Sequence, residues 1–398
     1  MTLSELLAHR AATAGGETAL TWPAATLTWG QLDRRVTAAA AALRRVTEPG
    51  QRSAILVPPS PEYVVAFLGA LRAGLVAIPL GPDGRTRVLA DAEPSIVLAT
   101  SASVRAIRHF LATSDTCGHR VLAVDAAPDA PGCTGDPVAP SDVAYLQYPG
   151  GVMVTHANVV ANARQAAQVP AASTVVSPLP PSDPLGLVLG VAVPIVTGRP
   201  VTIDESAPGA LPGCYVVAEA TALVPCGHPA GQEVAIVGRD GRRVPAGDAG
   251  EIWVSGPNVA RGYWRRPEES ARVFCARITG DDEPRWWLRT GDQGFLTPSG
   301  ELCVTGRDLV AGYRPADLEA TAEQAHPAIR PHASAAFAVR GDQAVLVLEL
   351  ADGVVPPRGD SPKIHEVERA VRHAVSARHG LTLRRVVVRP SSAGDGLW

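Results

Sequence analysis

The stretch SAILVPPSPEYVVAFLGALRAGLVAIPL, residues 53–80, places a strand, a helix and a second strand in direct succession. Ser53–Val57 is a short apolar run that ends at two prolines, and Glu62–Arg72 has the apolar spacing of a buried helix. Leu75–Pro79 is another apolar run of strand length. Two buried strands joined by a helix form a parallel pair, so this stretch predicts an α/β fold.

The same alternation extends in both directions along the chain. Upstream, Gln31–Arg45 predicts an amphipathic helix, and downstream, Ile96–Ala99 and Val121–Val124 predict further strands. A connector rich in Pro, Gly and Asp follows at residues 126–142. This βαβα order predicts a mostly parallel sheet with helices on both faces.

A tight turn follows the connector. Ala144–Tyr148 predicts a strand, Pro149-Gly150-Gly151 a turn, Val152–Thr155 a second strand and His156–Gln168 a helix. Prolines and glycines at such a position are typical of a sharp reversal of the chain.

The remaining sequence divides into two blocks. Glu233–Val237, Glu251–Val254 and Glu301–Thr305 have strand character and are separated by turns, which predicts an antiparallel block. Helices and strands alternate after Arg307. We therefore predict a large α/β domain over 1–306, with mostly parallel sheets plus this antiparallel β block, and a small α+β domain over 307–398.

Charge and hydropathy exclude several classes of function. A net charge of −3 argues against general binding of nucleic acid, which needs a clustered basic face. No apolar run approaches the roughly 20 residues of a membrane span. The first residues lack the basic start and apolar core of a signal peptide, so we expect a cytoplasmic protein.

Ten segments form one ordered pattern across the chain: LTWGQLDRRV (27–36), VPPSPEYVVAFLGALRAGLVAIPL (57–80), DVAYLQY (142–148), GVMVTHANVVANA (151–163), AEAT (218–221), VPCGHP…QEVAIV (224–237), GEIWVSGPNVARGYWRRPE (250–268), WLRTGDQGFL…GELCVTGR (287–307), PADLEAT (315–321) and AVRHAVSARHGL (370–381). Together they resemble the adenylate-forming superfamily, specifically its fatty acyl-AMP ligases. Those enzymes join a carboxylate to AMP and pass the acyl group to a carrier protein. The resemblance implies ATP and Mg²⁺ as cofactors and an acyl carrier protein, or a component of a polyketide or peptide synthase, as partner.

Several residues match functional positions of that family. By resemblance, Thr155 and His156 end the phosphate-loop motif, Glu219 contacts Mg²⁺, Asp292 accepts hydrogen bonds from the ribose hydroxyls, and Arg307 lies near the ribose at the hinge. A carboxylate suits both Mg²⁺ and a diol. His156 is the candidate acid/base residue, since histidine titrates nearest neutral pH. The structural alternatives are a helix-start role for His156, a helix-terminal hydrogen bond for Glu219 and a turn-closing role for the RTGD segment.

The departures from the family pattern affect the segments that bind nucleotide and substrate in that family. The family's phosphate loop is rich in Gly, Ser and Thr and ends near a lysine, whereas this chain has only Tyr148-Pro149-Gly150-Gly151, in which Pro149 has no N–H. The family's aromatic–His–Asp segment is replaced by Ser182, Asp183 and Pro184. From Thr202 the chain reaches AEAT too soon for the βα units that the family has there.

The catalytic lysines are also missing. Lys363 is the only lysine in the chain, and it precedes the last helix in a Pro-rich loop, where it cannot replace the family's C-terminal lysine. An arginine is a poor substitute, because its planar guanidinium often cannot enter a site built for a compact ammonium. The hinge is shortened to Gly306-Arg307-Asp308.

These departures leave four functional hypotheses. The first is a degenerate fatty acyl-AMP ligase-like protein, a pseudoenzyme that does not adenylate and that serves as an acyl-, carrier- or protein-binding accessory in lipid or secondary-metabolite biosynthesis. ATP and Mg²⁺ binding would then be lost. The second is a repurposed enzyme that acts without ATP through His156, Asp183, Glu219 and Asp292. The third is an active ligase with a minimal site, and the fourth is a decaying gene product that folds poorly.

Overall fold

The computed structural model describes residues 1–398 except 24, 81–85, 114–118, 129–137, 149, 169–175, 205–213, 226–230, 282, 284, 307–312, 314, 340–342, 352–361 and 390–398. The chain forms two compact units. The first consists of Met1–Thr290 and Gly294–Cys303, and the second of Gly291–Gln293 and Val304–Trp398. The predicted domains, 1–306 and 307–398, remain a prediction.

A six-stranded sheet forms the centre of the first unit. Its strands are β3 (Arg52–Ile55), β4 (Val76–Pro79), β5 (Ile96–Ala99), β6 (Arg120–Ala123), β7 (Val143–Gln147) and β8 (Val152–Thr155), in the spatial order β6-β5-β3-β4-β7-β8. All neighbours are parallel except β7 and β8, which form an antiparallel hairpin. The α/β fold and the mostly parallel sheet are therefore confirmed.

Helices bury apolar faces in this unit. They are α1 (Leu3–Ala14), α2 (Trp29–Arg44), α3 (Pro61–Arg72), α4 (Thr86–Ala92), α5 (Val104–Thr113) and α6 (His156–Ala166). Helix α2 starts at Thr28, whose side chain accepts from the backbone N–H of Gln31 while Gln31 bonds back to Thr28. Helix α1 has the same kind of capping box at Thr2 and Glu5. The Thr-x-x-Glu pattern could have revealed α1, which we did not predict.

A second sheet was not predicted from the sequence. It contains β1 (Thr18–Trp22), β2 (Ala25–Thr28), β9 (Val176–Ser177) and β10 (Val201–Ile203), in the order β2-β1-β10-β9. A buried helical stretch lies between β9 and β10 and comprises α7 (Pro184–Leu187), a π-helical segment (Val188–Ala192) and α8 (Val193–Thr197). Strand β9 has only two residues, too few to show an alternating pattern.

Three strands of the antiparallel block appear where the sequence predicts them, whereas Leu288–Leu296, which contains the RTGD segment interpreted as a turn, was not predicted as a strand. Strands β13 (Glu233–Val237), β14 (Gly250–Ser255), β15 (Leu288–Leu296) and β16 (Leu302–Gly306) follow one another in space, and β13 and β14 pair antiparallel. A short hairpin precedes them, with β11 (Cys214–Val217) antiparallel to β12 (Ala222–Pro225). Helix α9 (Pro267–Phe274) lies between β14 and β15 in sequence. Only residues 204–213 connect β10 to β11, which leaves no room for a βα unit.

The C-terminal unit has its own sheet and core. Its elements are α10 (Pro315–Gln324), β17 (Ile329–Val339), β18 (Gln343–Leu350), α11 (Pro362–His379) and β19 (Arg385–Arg389). Strand β18 pairs antiparallel with β17 and parallel with β19. Leu346, Leu348, Val371 and Val375 are fully buried in its core. Within the described parts of both units, no helix is long and apolar enough to cross a membrane.

Candidate functional site

The connection between β7 and β8 is a tight turn. Gln147 and Val152 are paired across the two strands, so only residues 148–151 form the connection. The backbone N–H of Trp264 donates to the carbonyl of Gly151 at 2.8 Å. Gly151 has φ 66°, and a Cβ there would lie 3.4 Å from both the Tyr148 hydroxyl and the Trp264 Cβ. The predicted turn is confirmed, except that Pro149 lies outside the described residues.

The side chain of Tyr148 connects this turn to helix α4. Its hydroxyl donates a hydrogen bond to the carboxylate of Asp91, the second-to-last residue of α4. Burial, together with the Asp91 carboxylate, raises the pKa of Tyr148 above its usual value. Tyr148 therefore remains protonated and acts as a hydrogen-bond donor at this position.

Thr155 caps helix α6. Its hydroxyl oxygen accepts from the backbone N–H of Asn158 at 3.2 Å, and the Asn158 side-chain oxygen accepts from the backbone N–H of Thr155 at 2.9 Å. Thr155 is 8% exposed, so these bonds satisfy groups that water does not reach. The side chain that resembles part of a phosphate motif thus has a structural role at the start of a helix.

His156 is the first residue of α6 and is 2% exposed. Burial lowers its pKa to about 4, although Asp142 and Glu5 act in the opposite direction. Its Nδ1 has no hydrogen-bond partner among the residues that the structure describes. The expectation that His156 titrates near neutral pH is therefore wrong, because desolvation disfavours the imidazolium.

Glu219 lies in the turn between β11 and β12. Its carboxylate accepts a hydrogen bond from the hydroxyl of Tyr263 at 2.8 Å, and its carbonyl accepts from the backbone N–H of Ala260 at 2.8 Å. Tyr263 is buried and packs edge-on against Phe274. The carboxylate is thus held by the segment that follows β14.

Amide side chains on α6 bind the same segment, and sequence reasoning missed them. Asn158 donates from Nδ2 to the carbonyls of Pro257 and Val259 at 2.7 and 2.8 Å. Gln165 donates to the side-chain oxygen of Asn258 at 3.3 Å. Asn158 and Gln165 are seven residues apart on a helix, a spacing that places both on one face. The available signal was the pair of amide residues, Asn158 and Gln165, on one face of this helix.

Asp183 and Asp292 are the two remaining predicted site residues within the described part of the chain. Asp183 caps α7, since its carboxylate accepts from the backbone N–H groups of Leu185 and Gly186 at 2.8 and 3.1 Å. Asp292 lies in β15 and is 7% exposed. Arg307 lies outside the described residues. The structure therefore connects Thr155 to Glu219 through Asn158 and the segment 257–263. The backbone N–H of His156 donates instead to the carbonyl of Asp142.

A family model of AMP-binding enzymes matches residues 7–214 and 204–264 of this chain. The chain belongs to the AMP-binding enzyme family. The long-chain-fatty-acid–AMP ligase FadD26 of Mycobacterium marinum is 31% identical, over 92% of this chain and 88% of the relative. The putative fatty-acid–CoA ligase fadD25 of Mycobacterium tuberculosis shows the same identity and the same coverage of both chains.

Solved structures confirm the fold of this family member. The fatty acid AMP ligase of Legionella pneumophila superposes with a TM-score of 0.68 at 22% identity, over 98% of this chain and 92% of that one. The fatty acyl-adenylate ligase of L. pneumophila in complex with acyl adenylate and pyrophosphate gives a TM-score of 0.67. The resemblance to fatty acyl-AMP ligases that the motifs indicated is therefore confirmed at the level of family and fold.

This AMP-binding family member is shorter than its relatives internally. The alignment with FadD26 runs over 520 positions, more than the 398 residues of the chain. The relative must therefore contain residues that have no counterpart here.

Proposed function

We propose that this chain is a family member that does not form acyl adenylates and that serves as an acyl-, carrier- or protein-binding accessory in lipid or secondary-metabolite biosynthesis. The turn at 148–151 is the observation that carries the proposal. A phosphate-binding loop works through several backbone N–H groups aimed at the anion, often with a lysine beside them. Here the strands β7 and β8 meet too closely for such a loop.

The fit of a nucleotide to the described residues is poor on three counts. Tyr148 and Trp264 pack against the turn. The carboxylate of Glu219, which a magnesium ion would need, accepts a hydrogen bond from Tyr263. The chain also has no lysine other than Lys363. We therefore derive no reaction step through ATP or Mg²⁺.

Two other functions remain as competing hypotheses. An active ligase with a minimal site is compatible with family membership and with the presence of Glu219 and Asp292. A repurposed enzyme that acts without ATP has less support, because His156 is neutral and buried and Asp183 is engaged as a helix cap. A general base needs a pKa near the working pH, which a value of about 4 does not provide.

Calorimetric titration with Mg²⁺·ATP, and then with a non-hydrolysable acyl-sulfamoyl adenosine, tests the proposal. We expect no binding of either ligand up to millimolar concentration, from protein that melts cooperatively. The same preparation is assayed for ATP–pyrophosphate exchange with fatty acids of several lengths. Micromolar binding or measurable exchange would overturn the proposal in favour of the active ligase.

Two variants make a positive signal interpretable. Asp292→Ala removes the carboxylate that resembles the ribose ligand, whereas Asp183→Ala removes a carboxylate that caps α7. Binding that is lost in the first variant and retained in the second would indicate a nucleotide site. Binding that persists in both would indicate a site that does not use Asp292, and it would equally overturn the proposal.

A further inference from the structure

Two consecutive residues after Glu219 have left-handed backbone conformations, although neither is glycine. Thr221 has φ 59° and Ala222 has φ 84°. A Cβ makes such angles costly, and two in succession persist only where the surrounding structure holds them. The turn that carries Glu219 therefore depends on contacts from outside the turn.

The side chain of Asn258 supplies such contacts. It is fully buried, and its Nδ2 donates to the carbonyl of Ala220 at 3.2 Å and to the side-chain oxygen of Gln232 at 2.8 Å. Its Oδ1 accepts from Gln165. The backbone carbonyl of Asn258 accepts from the Thr221 hydroxyl at 2.6 Å. Both side-chain N–H groups, the side-chain oxygen and the backbone carbonyl of this residue are in use, as a buried amide requires.

The backbone around Asn258 runs directly against its partners. A Cβ on Gly256 would lie 2.7 Å from the Cβ of Gln232, so only glycine permits this approach. Two residues after Asn258, the N–H of Ala260 donates to the carbonyl of Glu219. Asn258 thus touches three separate parts of the chain: α6, the Glu219 turn and Gln232, the residue before β13.

We propose that Asn258 is the positioning residue for Glu219. It joins the strained turn to α6, which Thr155 and His156 begin. Without the side-chain amide, the carbonyl of Ala220 loses its hydrogen bond from Asn258. The turn is then no longer held in the position that allows the Thr221 hydroxyl to donate to the Asn258 carbonyl. This inference goes beyond the proposed function, because it holds whether the cluster serves a nucleotide, an acyl group or a protein partner.

Hydrogen exchange followed by mass spectrometry tests the inference. In Asn258→Ala, we expect the peptide spanning residues 214–225 to exchange about tenfold faster or more, since a buried partner is lost. The peptide spanning 52–72, in β3 and α3, should keep its wild-type rate. Unchanged protection at 214–225, or an equal acceleration in both peptides, would overturn the proposal.

A matched pair of threonine variants separates positioning from general loss of stability. Thr221→Val and Thr47→Val each replace a buried hydroxyl that donates to a backbone carbonyl, of Asn258 in one case and of Leu43 in the other. We expect faster exchange at 214–225 only in Thr221→Val. The same acceleration in Thr47→Val would contradict the inference.

Asn258→Asp tests whether the hydrogen-bond donors of this side chain are what the turn needs. The groups in contact with Asn258 are amides, a hydroxyl and carbonyls, so burial should raise the pKa of the new carboxyl. When protonated, it can donate one of the two lost hydrogen bonds. We expect protection at 214–225, corrected for intrinsic exchange, to be nearer to wild type at pH 5 than at pH 8. A defect independent of pH would overturn the inference.

Discussion

The β3–α3–β4 unit and the turn that carries Glu219 are held in opposite ways. In the first, apolar side chains such as Ile55, Phe67 and Ile78 are completely buried. Their burial stabilises the fold through the hydrophobic effect, which does not depend on the orientation of the groups in contact. In the second, Tyr263 binds the Glu219 carboxylate, and Asn258 binds a backbone that has two left-handed residues. Apolar packing tolerates many side chains of similar volume, whereas a buried hydrogen bond needs one partner in one position.

The largest effect should come from the apolar region. Phe67→Ala removes a fully buried ring that packs edge-on against Tyr145 with centroids 5.8 Å apart. We expect a loss of about 3–5 kcal/mol in the free energy of unfolding, measured by chemical denaturation. Val46→Ala, at a position that is 39% exposed, is the control and should change it by less than about 0.5 kcal/mol. Similar losses in both variants would mean that the ring is not packed as described.

Acidification should destabilise the folded protein through His156. The pKa of His156 is about 4 in the folded protein against 6.5 when unfolded, so the unfolded chain binds the proton more tightly. Its contribution to stability is complete above pH 6.5 and is lost as the pH falls, by about 2 kcal/mol between pH 7 and pH 5. Denaturation of wild type and His156→Gln at both values should show a smaller loss in the variant.

The control for this pH effect is the exposed His9. Comparison with His9→Asn shows whether the smaller loss is specific to the buried His156. If His156→Gln also follows wild type, the folded histidine titrates normally and is not desolvated.

Removal of one hydroxyl from each region, at Tyr263 and at Tyr63, compares the two regions by a smaller change. Tyr263→Phe removes the hydroxyl that donates to Glu219, and we expect a loss of about 1–2 kcal/mol. Tyr63→Phe removes a hydroxyl that is buried in α3 with no hydrogen-bond partner among the described residues, so stability should stay the same or rise. The free energy of unfolding of both variants is measured by thermal and chemical denaturation. Equal losses would remove the distinction between the regions.

The smallest effect should occur at the surface, near the turn at 148–151. Arg265 and Glu93 form an ion pair in which both side chains are about half exposed. We expect no resolvable change in the unfolding midpoint for Arg265→Gln, because exposed pairs are screened by solvent. A clear loss that disappears at high salt would show that this pair contributes to holding the turn.

Sequence periodicity was sufficient for the elements that bury apolar faces. The strand–helix–strand order over 53–80, the helix that starts at His156 and the antiparallel strands at 233–254 appear where they were predicted. The hairpin of β1 and β2 was missed, as was the buried helical stretch at 184–197. The latter is apolar throughout, so no alternation distinguishes a helix from a strand.

The sequence by itself determined the family, the α/β architecture and the shortness of the turn at 148–151, because these depend on local pattern and on motif order. Only the tertiary structure decided that His156 is neutral, that Asp183 caps a helix and that Tyr263 and Asn258 hold the Glu219 turn. Tyr263 lies 44 residues from Glu219, and Asn258 lies 93 residues from Gln165. Desolvation and buried hydrogen bonds depend on which distant groups meet, and this is determined only when the chain folds.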